Sequence, residues 1–126
     1  MPRRWLRTVP DLASAPVVVV DDAGGNIAER AGELQRLRAS GRPVVIAGRC
    51  ASACTLYLSL GQTCITSRAV LMFHAPSDPG LSPIFLAMYP DGIRDWISAH
   101  GGLGPRVLVL PAAVAAASVA TCPERG

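Results

Sequence analysis

The sequence predicts a small α/β domain with a mainly parallel sheet, and three observations carry that prediction. Two short, wholly apolar, β-branched runs, Pro16-Val17-Val18-Val19-Val20 and Pro43-Val44-Val45-Ile46-Ala47, flank a stretch of helical period. Runs of that kind mark strands covered on both faces, and a strand-helix-strand unit of this length implies a parallel pair with a right-handed crossover. A third apolar run, Ala69-Val70-Leu71-Met72-Phe73, extends the sheet, with Pro76 shortly beyond it forbidding further ladder pairing. The chain has 126 residues, half of them apolar and 17% charged, which suits one globular domain and excludes a disordered tail.

Residues 1–15, with Pro2, Pro10 and Asp11, have no clear period and form the expected lead-in; residues 16–126 form the domain. The first strand ends at Asp21-Asp22-Ala23-Gly24-Gly25, a turn whose glycines permit positive φ. A helix is expected from about Asn26 to Ala39. It carries Ile27, Ala31, Leu34 and Leu37 on its buried stripe, Glu29, Arg30, Glu33, Arg36 and Arg38 toward solvent, and Gly41 as its stop. After the second strand comes Gly48-Arg49-Cys50-Ala51-Ser52-Ala53-Cys54, then a nearly apolar helix from Ala53 to Leu60 that Gly61 stops. Cys64-Ile65-Thr66 reads as a short strand. The core therefore spans 16–76, and 77–126 turns helical. Ser82-Pro83 opens a short helix to Tyr89, and Pro90 to His100 makes another with Ile93, Trp96 and Ile97 inward. His100 faces the dipole at that helix's C-terminus. Arg106 to Ala120 is rich in Ala and Val, and its type stays open.

Charge and cysteine usage narrow the function. The formal charge is +3 and every basic residue is Arg. The Arg residues are scattered and not interleaved with aromatics, so no nucleic-acid surface is expected. The run from Val107 to Ala120 is too short to span a bilayer and is broken by Pro111. Met1 to Arg7 has the charge of a signal-peptide n-region but no apolar h-region after it, so either the protein is cytoplasmic or the true start lies upstream. Cys50, Cys54, Cys64 and Cys122 form an even set, which in a periplasmic or otherwise exported protein suggests two disulfides with three connectivities open; buried thiols are the alternative. Cys50 and Cys54 have a tolerable ligand spacing, but no second close Cys or His pair completes a metal site. No cofactor is expected.

Ser52 sits where a buried strand turns into a helix, which lifts its hydroxyl out of the sheet beside free helix N–H groups. Serine is a poor nucleophile at neutral pH and needs a base. His74 leaves a strand expected beside the one feeding Ser52, which brings both to one sheet edge. The oxyanion of an acyl-transfer intermediate needs backbone donors, and Ala53 N–H with a glycine amide of Gly24-Gly25 supplies them.

The order of these pieces resembles the proteolytic subunit of the Clp protease and the wider Clp/crotonase-like fold. That order is apolar strand, x-Gly-Gly, helix, apolar strand, Gly-x-x-Ala-Ser, helix, short Cys-containing strand, then a strand ending x-Met-x-His-x-Pro. The double-cysteine version, Cys50-Ala51-Ser52-Ala53-Cys54, is most similar to small exported bacterial relatives, and the match covers about residues 16–76. The resemblance implies a serine peptidase or related hydrolase acting on a peptide or ester. It makes Ser52 the nucleophile, His74 the base, Gly25 and Ala53 the oxyanion donors, and Gly24 and Gly48 turn glycines. It allows a homo-oligomer. The ring-building helical handle and the segment with the catalytic aspartate have no counterpart after Pro76, so no ATPase partner is implied, and Asp95, Asp91 and Asp78 are the available third members. A Ser-Lys dyad is excluded by the absence of Lys. The crotonase enolate chemistry finds its acidic residues only on the solvent stripe, at Glu29 and Glu33. The reading of another class is a Clp-like domain without catalysis that binds a peptide or partner protein in the same cleft.

Overall fold

The computed structural model describes residues 15–123; the expected lead-in falls, but for Ala15, outside them. In chain order the elements are β1 (Val17–Asp22), α1 (Ile27–Ser40), β2 (Val44–Ala51), a 3-10 helix (Ser52–Ser59), β3 (Thr63–Ile65), β4 (Val70–Phe73), α2 (Ser82–Met88), α3 (Asp91–Ala99), β5 (Leu108–Pro111) and α4 (Ala112–Ala115). They build one mixed sheet in the order β1-β2-β4-β5, with β3 paired to β2. The β1, β3 and β4 pairings with β2 are parallel, as the crossover pattern requires, and β5 runs antiparallel to β4. One edge of β2 is shared: its first half pairs Val44–Ile46 with β3, and its last residues pair Arg49–Ala51 with β4. That division carries β2 and β4 out of the sheet side by side, with Ala51 opposite Met72.

Helix α1 is bounded by residues suited to its ends. Asn26 caps it, its side chain accepting from Glu29 N–H at 3.0 Å, and Gly41 closes it at φ 68° with its own N–H on Leu37 O. Inward faces of β2, β4 and β5 supply Val44, Ile46, Leu71, Phe73, Leu108 and Leu110 to the core, all 5% exposed or less. Against them pack Leu56 and Leu58 of the 3-10 helix, Phe85 of α2, and Ile93 and Ile97 of α3. Phe73 meets Tyr89 edge to face at 5.2 Å between centroids.

Four expectations are corrected. First, the β1 run is apolar throughout but covered on one face only: Val19 is buried, while Val18 and Val20, 57% and 65% exposed, lie on a face that no described element covers. Second, the helix after β2 starts at Ser52 and is 3-10 rather than α. Its hydroxyls reinforce the tighter winding by bonding i−3 carbonyls, Thr55 Oγ1 to Ser52 O and Ser59 Oγ to Leu56 O. Third, the open stretch from Arg106 resolves into β5 followed by the single turn α4. Fourth, Arg30 and Glu33 do not project into solvent. With Leu34 and Leu37 they occupy i, i+3, i+4 and i+7 of α1, the inward stripe, while Ala31 is exposed.

The cysteines form two disulfides, Cys50–Cys54 and Cys64–Cys122. The second, with the bridge between Ile65 and Thr121, anchors the C-terminal strap to β3. Two such bonds are consistent with an oxidising, exported location. Among the described residues no helix is long and apolar enough to cross a membrane, and no group of three His, Cys, Asp or Glu could hold a metal ion.

Candidate functional site

Ser52 has φ 56°, the one positive value at a non-glycine among the described residues. A residue with a Cβ in the left-handed region is strained by roughly 1–3 kcal/mol and persists only where its surroundings hold it. Several do. Cys50 and Cys54 bridge across it, both with no exposed surface. Its carbonyl accepts from Thr55 Oγ1 at 2.6 Å, and Thr55 is itself fully buried. Because that hydroxyl proton is spent on Ser52 O, the 2.7 Å contact between Thr55 Oγ1 and Tyr89 Oη has Tyr89 as donor. Burial pushes the Tyr89 phenol up to about 12.

Among the described residues the Ser52 hydroxyl has no hydrogen-bond partner. The helix's N-cap is Ala51, with no side-chain capping bond, so Ser52 is not consumed as a cap. The side chain is half-buried rather than sealed under the C-terminal helices. Ala53 N–H, at the start of the helix, is one of the donors that no preceding turn can satisfy.

Gly24 lies against this elbow. A Cβ added to it would stand 2.9 Å from Ser52 Cβ, 3.1 Å from Ala51 O and 3.3 Å from Ala53 N, and its φ is 102°. Only glycine fits on both counts. Gly48, expected in a turn, lies inside β2 instead, where it brings the strand so close to β1 that a Cβ would fall 2.0 Å from Val20 O. The Gly24-Gly25 turn is thus brought to Ser52 by close backbone approach.

A partly buried ionic cluster holds the far side of that turn. Asp22 Oδ1 accepts Gly24 N–H at 2.9 Å, an Asx turn, so this amide is already used and Gly25 remains as the turn's free donor among the described contacts. Arg30 Nη2 donates to both Asp22 oxygens, at 2.9 and 2.8 Å, and reaches Gly24 O at 3.5 Å; Nη1 donates to Glu33 at 3.2 Å. Tyr57 stacks under the guanidinium, 4.9 Å from its carbon to the ring centroid, and donates its hydroxyl to Glu33 at 2.8 Å. Burial and the Glu33 bond push the Tyr57 phenol up to about 12. A cleft of about 430 Å³ opens here, lined by Asp22, Asn26, Glu29, Arg30, Arg36 and Tyr57 among others. The larger cavity, about 690 Å³, lies beside Cys122 and α4 and includes neither Ser52 nor His74.

His74 leaves β4 two residues after Met72, on the strand paired with the end of β2. The two candidate side chains therefore leave neighbouring parallel strands, about 4.8 Å apart, at the same sheet edge. His74 Nδ1 contacts Ala75 O at 2.6 Å. A carbonyl only accepts, so Nδ1 carries the proton and Nε2 presents its lone pair, the tautomer a general base requires. Ala75 N–H in turn donates to Gly104 O, fixing the strand exit.

None of the predicted carboxylates is hydrogen-bonded to His74 among the described residues. Asp95 is exposed on α3, Asp91 pairs with Arg94 on the same helix, and Asp78 caps its own turn through Gly80 N–H. Nor is Ser52 Oγ hydrogen-bonded to the imidazole. His100 stacks on Trp96 at 4.3 Å and contacts Trp96 O through Nδ1. Sequence reasoning brought Ser52, His74, Gly24, Gly25 and Ala53 forward but missed Asp22, Arg30, Thr55, Tyr57 and Tyr89. The Asp-x-Gly spacing and the i, i+3, i+4 placement of Arg30, Glu33 and Leu34 were the available signals.

No family model matches the chain, and no curated protein does. Among solved structures the chain is similar to a ClpP1 mutant from Listeria monocytogenes, at 18% sequence identity and a TM-score of 0.43, over 81% of this chain and 68% of that one.

Proposed function

We propose that the chain is a serine hydrolase of Clp-like fold, peptidase-like in chemistry, that works through an acyl-Ser52 intermediate. The observation that carries this reading is the strained Ser52 elbow, which keeps the hydroxyl uncapped beside Gly24. In the first half-reaction Ser52 Oγ attacks the substrate carbonyl carbon while its proton passes to His74 Nε2. The resulting oxyanion is held by Gly25 and Ala53 N–H, and collapse expels the amine or alcohol with the proton from His74. Water then repeats the sequence to release the acid. The Ala75 carbonyl does the orienting that a carboxylate does in a triad, so the proposed machinery is a Ser-His dyad. The two disulfides support an exported setting, and peptides and esters are the substrates to screen.

A second reading is favoured because, among the described residues, Ser52 and His74 share no hydrogen bond and no carboxylate is bonded to the imidazole. It is the fold kept without catalysis, binding a peptide or partner in the same cleft. Labelling with a fluorophosphonate probe, beside Ser52→Ala and His74→Ala, separates the two: covalent labelling that both substitutions abolish supports the hydrolase, and an unlabelled, folded wild type supports the binding domain.

A further inference from the structure

Arg30 is the hub of a cluster that the dyad itself does not use. Its side chain is only 11% exposed, its partners Asp22 and Glu33 are 22% and 35% exposed, and one face lies on Tyr57. These ion pairs are partly buried, so solvent screens them less than it screens a surface pair. What they grip is the turn beside Ser52. Through Asp22 the guanidinium holds Gly24 N–H, which fixes the peptide between Ala23 and Gly24. Through its 3.5 Å contact with Gly24 O it also bears on the next peptide.

That second contact matters because Gly24 C=O and Gly25 N–H belong to one planar trans unit and point in opposite directions. A cation drawing the carbonyl one way turns the amide the other way. Glycines at φ 102° and 129° impose little preference of their own on this peptide, so its orientation has to be set from outside. No other charged side chain among the described residues bonds to the turn's backbone except Asp22, which Arg30 itself holds.

We propose that Arg30 is the positioning residue of the oxyanion hole, fixing the Gly24–Gly25 peptide through Asp22 and Gly24 O so that the Gly25 amide is preset to receive the oxyanion. The inference rests on the hydrolase reading. It predicts that the cluster acts on the transition state and not on substrate binding.

The test uses Arg30→Lys, Arg30→Gln and Asp22→Asn, with Arg94→Gln as a control that breaks an Arg-Asp pair on α3. Loss of one oxyanion donor costs about 100-fold or more in rate. Arg30→Gln should therefore slow fluorophosphonate labelling and ester turnover by about 10- to 100-fold, in kcat with KM unchanged. Arg30→Lys, which keeps the charge but not the forked reach, should recover only part, and Asp22→Asn combined with Arg30→Gln should lose no more than Arg30→Gln alone. Arg94→Gln should stay within about two-fold of wild type. In 15N-labelled protein the Gly24 and Gly25 amide signals should move or broaden in each Arg30 and Asp22 variant while core amides stay in place. Should Arg30→Gln fail to fold, Arg30→Lys and Asp22→Asn carry the same expectations. Folded variants that label at the wild-type rate, that lose KM instead of kcat, or that leave the Gly25 signal unmoved overturn the proposal. An unlabelled wild type would instead sink the hydrolase reading, and the amide signals would still decide whether Arg30 sets the turn.

Discussion

Ser52 and His74 leave neighbouring strands, yet the chain builds around them very differently. At the serine end a buried disulfide, two buried hydroxyls and a glycine turn clamped by Asp22 and Arg30 converge on one strained residue. At the histidine end, among the described residues, the imidazole is hydrogen-bonded only to the next residue's carbonyl, and Ala75 N–H at the strand exit donates to Gly104 O. The difference teaches where the fold has fixed geometry in advance. Ser52 and the Gly24-Gly25 turn are held by side chains distant in sequence, whereas the His74 ring is oriented, among the described residues, by the carbonyl of its chain neighbour. Disturbances at the serine end should therefore spread into both stability and chemistry, and those at the histidine end should stay local.

The largest stability effect should come from neither end. Removing Cys64–Cys122 as the double Ser variant opens a loop of 58 residues, for which chain entropy gives about 4 kcal/mol. Urea unfolding measures it, and labelling of the folded fraction should hardly change. Gly24→Ala should come next, with about 2–3 kcal/mol lost from steric conflict and positive φ; here labelling should also collapse, by about 100-fold. Cys50–Cys54 encloses a separation of only 4, worth about 2 kcal/mol on the same entropy argument. Its double Ala variant should nevertheless slow labelling far more than loss of the long-loop bond, since it releases Ser52. Equal effects of the two disulfides on labelling would erase the contrast between stability and site.

A smaller effect concerns both tyrosines, one bracing each side of the elbow. Their phenols sit near 12 when folded, raised by burial, and near 10 when unfolded. A raised folded value means that the unfolded chain gives up protons first as pH rises. The stability it contributes is whole below about pH 10 and is lost between about 10 and 12. Phenolate absorbance at 295 nm should stay low in the folded protein at pH 10.5, and the urea midpoint should fall across that window; a normal titration near 10 would contradict the burial of Tyr57 and Tyr89. The smallest effect is expected at Asp95→Asn, because Asp95 is exposed and makes no bond to His74. Labelling within about two-fold of wild type checks it, and a large loss would restore Asp95 as a third member of the site.

Much of the serine end was legible because local chemistry announces it. Apolar β-branched runs marked β1 and β2, Gly24-Gly25 marked the turn, and Ser52 between strand and helix marked the elbow. What could not be read depends on partners far away in the chain. Arg30 resembles a solvent residue until Asp22 and Tyr57 are in place, and Thr55 resembles helix filler until Tyr89 arrives from 34 residues on. β5 is four residues beside an Ala-rich turn, too short for a period to show, and only pairing with β4 makes it a strand. β1 misled for a related reason: its sequence fits a strand covered on both faces, while whether anything packs on its second face is a property of the whole fold.

Fluorophosphonate labelling of the purified protein, with disulfides intact and with Ser52→Ala and His74→Ala alongside, tests the central claim most directly. The account predicts covalent labelling of the wild type, mapped by mass spectrometry to Ser52, and its loss in both variants. A folded wild type that stays unlabelled, or a label that survives Ser52→Ala, contradicts it.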